Sequence, residues 1–368
     1  MIPTSRPMQT STPCADLSTL IPAAGIEADA CTRKSAVFLT HSSFTSSFRV
    51  GSHQLAKALD ARGWRVLHIP TPITPAHLPL ALFNPEYRRR VGAWWKPEQT
   101  IFPNTREYVP LAWVPWQAVR RSTRAPDWYA RTQWRAERFI RSSGFATPDL
   151  LFIDEPRFVA MGRWFRPRHR LYRSTDLYHE MSADLSLIAA EREALRDSDG
   201  FIATSQPVFE HLRGLNPRKP GIVVQNGVEL DHFSRPAPEP ADLKSIPSPR
   251  AVYVGSMGAR FDFDAVAALA RARPGLSVVL IGPAPSVVPS SLPKNLHLLG
   301  PRRYEELPAY LQHATIGLLP LTAQPANRGR SPMKIYEYAA AGLPVLASRT
   351  DELARRDLPF VLLYERHA

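Results

Sequence analysis

The sequence predicts an α/β protein made of two open, doubly wound parallel sheets that face a central cleft. Three observations predict this. Short apolar runs alternate with helix-length amphipathic segments over residues 36–225, and the alternation restarts over 252–348. The runs are apolar throughout, as strands buried on both faces require. Between the two sets, residues 232–250 carry several Pro with Ala, Glu and Ser, which marks a linker. A chain of 368 residues is long enough to bury two sizeable cores.

In chain order, residues 36–40 read as a strand, 41–48 as a polar loop, 50–62 as a helix stopped by Gly63, and 64–69 as a second strand. The first loop lacks G-x-G-x-x-G, so no dinucleotide fingerprint is present. Residues 71–141 are irregular, aromatic and Pro-punctuated, and read as an insertion. Strands follow at 149–154, 170–175, 201–205 and 222–225, with a one-faced apolar helix at 185–196. The second set has strands at 252–255, 277–282, 296–300 and 316–321, and helices at 264–273 and 303–313. It closes with a helix at 333–341 and a strand at 344–348, and a further strand at 360–364 precedes the last residue, Ala368. The expected division is a disordered tail 1–34, a first domain 35–235 with an insertion at about 71–145, a linker 236–250 and a second domain 251–368.

Composition excludes several classes. The apolar fraction of 44% suits a globular protein, and no apolar run approaches the roughly 20 residues that cross a bilayer. The tail is rich in Ser, Thr, Pro and Ala without an apolar core segment, so no secretory signal is expected. Cys14 and Cys31 are the only cysteines and both lie in the tail, which argues against a disulfide framework or a zinc site and fits a reducing cytoplasm. The net charge of +13 is concentrated between residues 80 and 141, where Arg88, Arg89, Arg90, Trp94 and Trp95 cluster. Arg with Trp suits an anionic membrane surface, through guanidinium–phosphate pairs and rings at headgroup level. It also suits single-stranded nucleic acid, or an ordinary basic surface over buried rings. No ribonucleoprotein, KH or zinc signature supports nucleic acid, so none is expected as a partner.

The most informative stretch is RSPMKIYEYAAAGLPV, residues 330–345. Ser331 is placed to cap a helix, Pro332 suits its first position, and Gly342 ends it. Unpaired N–H groups and the helix dipole favour an anion there, and Lys334 adds a full charge. Glu337 lies about one turn further along. Phosphate at the helix start and a carboxylate for sugar hydroxyls is what a nucleotide-sugar site needs. A surface helix with scattered charge is the alternative.

With VGSM at 254–257, NGVELDHF at 226–233 and SPMKIYEYAAAGLPV at 331–345, the chain resembles the GT-B glycosyltransferases. It is closest to the family-4-like enzymes and the xanthan-type bacterial glucuronosyltransferase, with a weak match in YRSTD at 172–176. The resemblance implies a GT-B fold and transfer of a hexosyl or glucuronosyl group from a nucleotide sugar, held by the second domain, to a glycan or lipid-linked acceptor held by the first. It places the work in bacterial surface or exopolysaccharide synthesis, at the inner face of the cytoplasmic membrane, with neither metal nor other cofactor. Lys334 would meet the donor diphosphate and Glu337 the ribose, with Ser331 and Met333 beside them. Gly255, Ser256 and Met257 would form the turn under the nucleotide. Asp176 falls at the position of the xanthan-type catalytic base, though a helix cap or turn is its plainer role, and Glu155 and Asp154 are the alternates.

Two departures bear on this. Retaining family-4 enzymes pair two Glu with seven residues between them. Counting back from Glu337 gives Gly329, which implies inversion or a different donor grip. GT-B chains also continue with further helices past the point where this one stops, so the second domain is expected to be incomplete. A catalytically inactive or epimerase-like protein that binds a nucleotide sugar is the alternative function.

Overall fold

The computed structural model describes residues 33–46, 49–96, 98–122, 124–283 and 291–365. Nearly all of the expected tail, with Cys14 and Cys31, lies outside the described residues. The described residues form two sheets.

The first sheet is built from β1 (Ser35–Leu39), β2 (Arg65–Ile69), β3 (Gln99–Phe102), β4 (Thr105–Glu107), β5 (Leu150–Ile153), β6 (His169–Ser174), β7 (Gly200–Ala203) and β8 (Gly221–Val223). Their spatial order is β3-β4-β2-β1-β5-β6-β7-β8. All neighbours are parallel except the β3–β4 hairpin. In the central strands Val37, Leu39, Leu151 and Ile153 are fully buried on one face and Ala36 and Phe38 on the other, as a parallel sheet demands.

The second sheet is wholly parallel. It contains β9 (Arg250–Val254), β10 (Ser277–Ile281), β11 (Leu296–Gly300), β12 (Ile316–Leu319), β13 (Val345–Ser348) and β14 (Val361–Tyr364), in the order β11-β10-β9-β12-β13-β14. The strand order reverses between β9 and β12. In such sheets a crevice opens outside the carboxyl ends at the reversal. β9 and β12 pair only through Ile316 and Gly317 and then diverge. Tyr338, fully buried, fills the gap: its hydroxyl accepts from Val254 N at 3.0 Å and reaches Leu318 O at 3.3 Å.

The structure corrects two expectations. Residues 71–141 are not irregular. They supply β3 and β4 to the sheet edge and the helices Pro85–Trp95, Ala125–Arg131 and Trp134–Ser142. β4 is held because Glu107, buried, accepts from Ser43 Oγ and Phe44 N and lies 2.9 Å from His68 Nδ1. Residues 236–250, expected as a linker, fold onto the second sheet: Leu243 and Ile246 join Phe233 in its core.

Candidate functional site

The carboxyl ends of the two sheets meet across a short interface. Ser205 Oγ donates to Gly329 O at 2.7 Å, and Asn226 Nδ2 donates to Ser331 O at 2.7 Å. Arg328 pairs with Glu180 and Arg355 with Glu210. A Cβ on Gly329 would stand 2.7 Å from Leu177 Cγ, so the glycine lets Leu177 of the first domain seat against the second. That position, where a retaining enzyme of the resembled family would carry its first glutamate, has no room for a side chain.

Asp176 follows β6 by two residues and sits beside this interface. It is not a helix cap. The helix Tyr178–Ser182 starts from Leu177, with no side-chain cap. Instead Asp176 Oδ1 faces Arg260 Nη1 of the second domain at 3.8 Å. Neither atom has a hydrogen-bond partner among the described residues. Burial pushes the Asp176 carboxyl up to about 6, against the pull of Arg260 and Arg330.

The alternates behave differently. Asp154 is fully buried and grips the Arg173 guanidinium at 2.6 and 3.0 Å. Glu155 is buried, accepts from Arg157 N and holds the Arg157 side chain at 2.6 and 2.8 Å. Burial would raise its pKa, but Arg157 outweighs that and holds it low. Both carboxylates are committed to ion pairs, which corrects their candidacy as bases.

The motif helix is shorter than its sequence suggests, Lys334–Ala340. Met333 precedes it at the cap position, in helical conformation and without a side-chain cap bond, and its carbonyl accepts from Tyr336 N and Glu337 N. Ser331 is no cap: it is buried, and its hydroxyl accepts from Arg356 at 2.8 Å. Tyr338 fixes the helix against the sheet, as described above. One turn back from that anchor, Lys334 lies over Gly255. A Cβ on Gly255 would meet Lys334 Cε at 2.5 Å, and at φ +146° the position already favours glycine. The Lys334 ammonium also stands 5.8 Å from the Tyr253 ring centre. Burial and Arg330 lower its pKa to about 8, with Glu337 opposing. Glu337 is itself raised by burial, opposed by Lys334 and His232.

Gly255, Ser256 and Met257 do form the turn after β9. Its geometry is set by Tyr253, whose hydroxyl donates to Ser256 O at 2.8 Å, while Ser256 itself is exposed. The Met257 side chain turns away into the core with Phe261 and Val266, so only its backbone is at the turn, a correction to its expected role.

Sequence reasoning missed Arg260 and Arg330. Arg330 immediately precedes the SPMK motif, and Arg260 follows VGSM by three residues. Burial and Arg260 lower the Arg330 pKa. Three cations therefore crowd one place, faced by Asp176 and Glu337. Like charges held together need an anion among them.

Of the expected surface residues, Arg88, Arg89 and Trp95 are exposed. Arg90 is not: its guanidinium turns inward to Thr71, which removes it from any surface role. Trp94 packs against the cluster of Ile73, Ala93, Val109 and Leu111.

Comparison with known proteins agrees with this architecture. Sucrose-phosphate synthase of Thermosynechococcus elongatus superposes with a TM-score of 0.63 over 90% of this chain and 86% of its own, at 18% identity. Anabaena Alr3699/HepE in complex with UDP gives 0.58 over 90% and 85%, at 14% identity. The fold is GT-B. Residues 248–358 match the family model described as Glycosyl transferases group 1. TuaH of Bacillus subtilis (strain 168), described as a teichuronic acid biosynthesis glycosyltransferase, is 28% identical over 148 residues. That match covers 38% of this chain and 37% of TuaH.

Proposed function

We propose that this chain is a glycosyltransferase that moves a sugar from a nucleotide-sugar donor to a glycan or lipid-linked acceptor in bacterial surface-polysaccharide synthesis, with inversion. The observation that carries this is the meeting of Asp176 with Arg260, Arg330 and Lys334 where the two sheets' carboxyl ends converge. A donor diphosphate laid over Gly255 satisfies the three cations. The acceptor hydroxyl gives its proton to the Asp176 carboxylate as its oxygen attacks the anomeric carbon. The bond from that carbon to the diphosphate oxygen breaks on the opposite side, and the leaving diphosphate takes the electron pair. Arg260, Arg330 and Lys334 offset the charge that develops on it. The packed seat at Gly329 supports inversion, because the first glutamate of the retaining pair has no place. Glu337, one turn beyond Lys334, is placed to take the donor's hydroxyls.

The acceptor side supports a membrane location. Leu78, Leu80, Leu82 and Phe83 project from the connection that precedes the helix Pro85–Trp95, with Leu82 70% and Phe83 83% exposed. Arg88 donates to the carbonyls of Ala81 and Leu82 and so braces this apolar prominence. Trp95 ends the helix 77% exposed. Apolar side chains ringed by Arg suit an anionic bilayer surface. Among the described residues no helix is long and apolar enough to cross a membrane.

A thermal-shift panel of nucleoside diphosphates and nucleotide sugars tests the donor reading, because a ligand that binds only the folded state raises Tm. At least one nucleoside diphosphate is expected to raise it in wild type and not in Lys334→Ala. No shift across the panel rejects the reading. Donor binding without transfer to any acceptor would favour the inactive or epimerase-like alternative.

A further inference from the structure

His179, Glu191 and His211 lie 12 and 20 residues apart along the chain, and no sequence pattern links them. The fold brings them together on three helices, Tyr178–Ser182, Ser186–Asp197 and Gln206–Leu215. Glu191 is fully buried. His211 Nε2 lies 2.9 Å and His179 Nδ1 4.0 Å from its Oε2, and all three ligand atoms lie within 4.8 Å of one another. The other carboxylate oxygen accepts from the buried Tyr172 hydroxyl at 2.8 Å. His179 Nδ1 is buried without a hydrogen-bond partner among the described residues.

From this arrangement we propose that His179, Glu191 and His211 bind a divalent transition-metal ion of the zinc type. Two imidazoles and a carboxylate are a donor set suited to such ions. A tetrahedral ion with bonds of roughly 2.0–2.2 Å sets its ligand atoms roughly 3.4 Å apart. The 2.9 and 4.0 Å separations found here bracket that value. The charge balance agrees. A buried carboxylate needs a cation, and Glu191 has no Arg or Lys partner among the described residues. The nearby charges are already matched, Arg328 with Glu180 and Arg355 with Glu210. Tyr172 plays the part of an outer partner that orients the ligating carboxylate. His179 and His211 line a cavity of about 340 Å³ at the domain boundary, which Glu210, Arg328 and Asp351 also border. His179 stands three residues beyond Asp176, so the ion would tie the segment that bears Asp176 to two core helices. The site is independent of the donor reading and is tested without any assay of transfer.

The full chain, freed of metal with a chelator, is titrated with Co²⁺ and then Zn²⁺. One equivalent of Co²⁺ is expected to give the visible bands of a tetrahedral site, bleached by Zn²⁺. His179→Gln/His211→Gln should bind one equivalent less and lose the bands. Tyr172→Phe, which keeps the ring in the core, should keep them with affinity lowered roughly tenfold. No tetrahedral bands in wild type, or bands undiminished in the double variant, overturns the proposal. Circular dichroism of each variant confirms that it is folded.

Discussion

Asp176 Oδ1 and Arg260 Nη1 face each other at 3.8 Å from opposite domains, too far for a hydrogen bond and too close for indifference. A carboxylate in a structural ion pair, like Asp154 with Arg173, closes to 2.6 Å with two bonds. The wider spacing leaves Asp176 Oδ1 buried without a hydrogen-bond partner among the described residues, and in the proposed reaction this is the oxygen that meets the acceptor hydroxyl. Asp176→Asn keeps the shape but cannot take a proton. Turnover at saturating donor and acceptor is expected to fall roughly 10²–10⁴-fold, with donor affinity by calorimetry nearly unchanged. Near-normal turnover would make Asp176 a structural residue.

The dependence on pH follows from two shifted groups. Asp176, raised to about 6, must be ionised to act, so kcat/KM should rise as pH passes through about 6. Lys334, lowered to about 8, must be charged to hold a diphosphate, so kcat/KM should fall as pH passes through about 8. The expected profile is a bell, because kcat/KM reports the free enzyme. Removing the Lys334 amine should abolish the alkaline limb alone, and a profile of Lys334→Met that keeps it would count against this assignment.

Donor affinity isolates the motif helix. A charge-assisted contact contributes about 1.5–3 kcal/mol, so Lys334→Ala should weaken nucleotide binding roughly tenfold or more. Glu337→Gln should weaken binding of nucleotides that carry a ribose 2′-hydroxyl more than that of their deoxy counterparts. Titration calorimetry on folded variants reads both effects. Unchanged affinity in both would remove this helix from the donor site.

Tyr338→Phe probes the anchor beneath that helix. The change removes a hydroxyl that satisfies Val254 N within the core and leaves the amide buried without an acceptor. Denaturant unfolding should show a loss of about 1–3 kcal/mol. A change within error would mean that the β9 end relaxes to find another partner.

For the membrane face, Leu82→Ser/Phe83→Ser is expected to reduce co-sedimentation with anionic vesicles, and adding Arg89→Glu to abolish it at moderate salt. Each basic group near such a surface contributes about 1 kcal/mol, and salt weakens it. Wild type that ignores anionic vesicles at low salt would point to a soluble acceptor.

The central strands of both sheets were legible because each is an apolar run bounded by turn residues. The edge pair β3 and β4 was not: each spans only three or four residues, and T-R-E carries no apolar alternation. Its stability comes from Glu107, whose partners lie 39 to 64 residues away. That Lys334, Glu337 and Gly255 come together was legible through motif and spacing. Arg260 and Arg330 were not, because nothing in the chain relates them to Asp176 before the domains meet. Glu155 was misread although Arg157, which neutralises it, stands two residues along.

Leu177 adjoins Asp176 in the chain, Gly329 adjoins Arg330, and the two touch. An apolar latch thus sets the register between Asp176 and Arg330, which in the proposed reaction are the proton acceptor and part of the phosphate grip and belong to different domains. Salt does not loosen such a contact, and it gives way only when the domains part. Were they to part, the proposed base would leave the donor side at once, and an activated sugar resting on the second domain alone would have no group poised to turn water against it. In the proposed reaction, such a latch would make spending the donor conditional on closure.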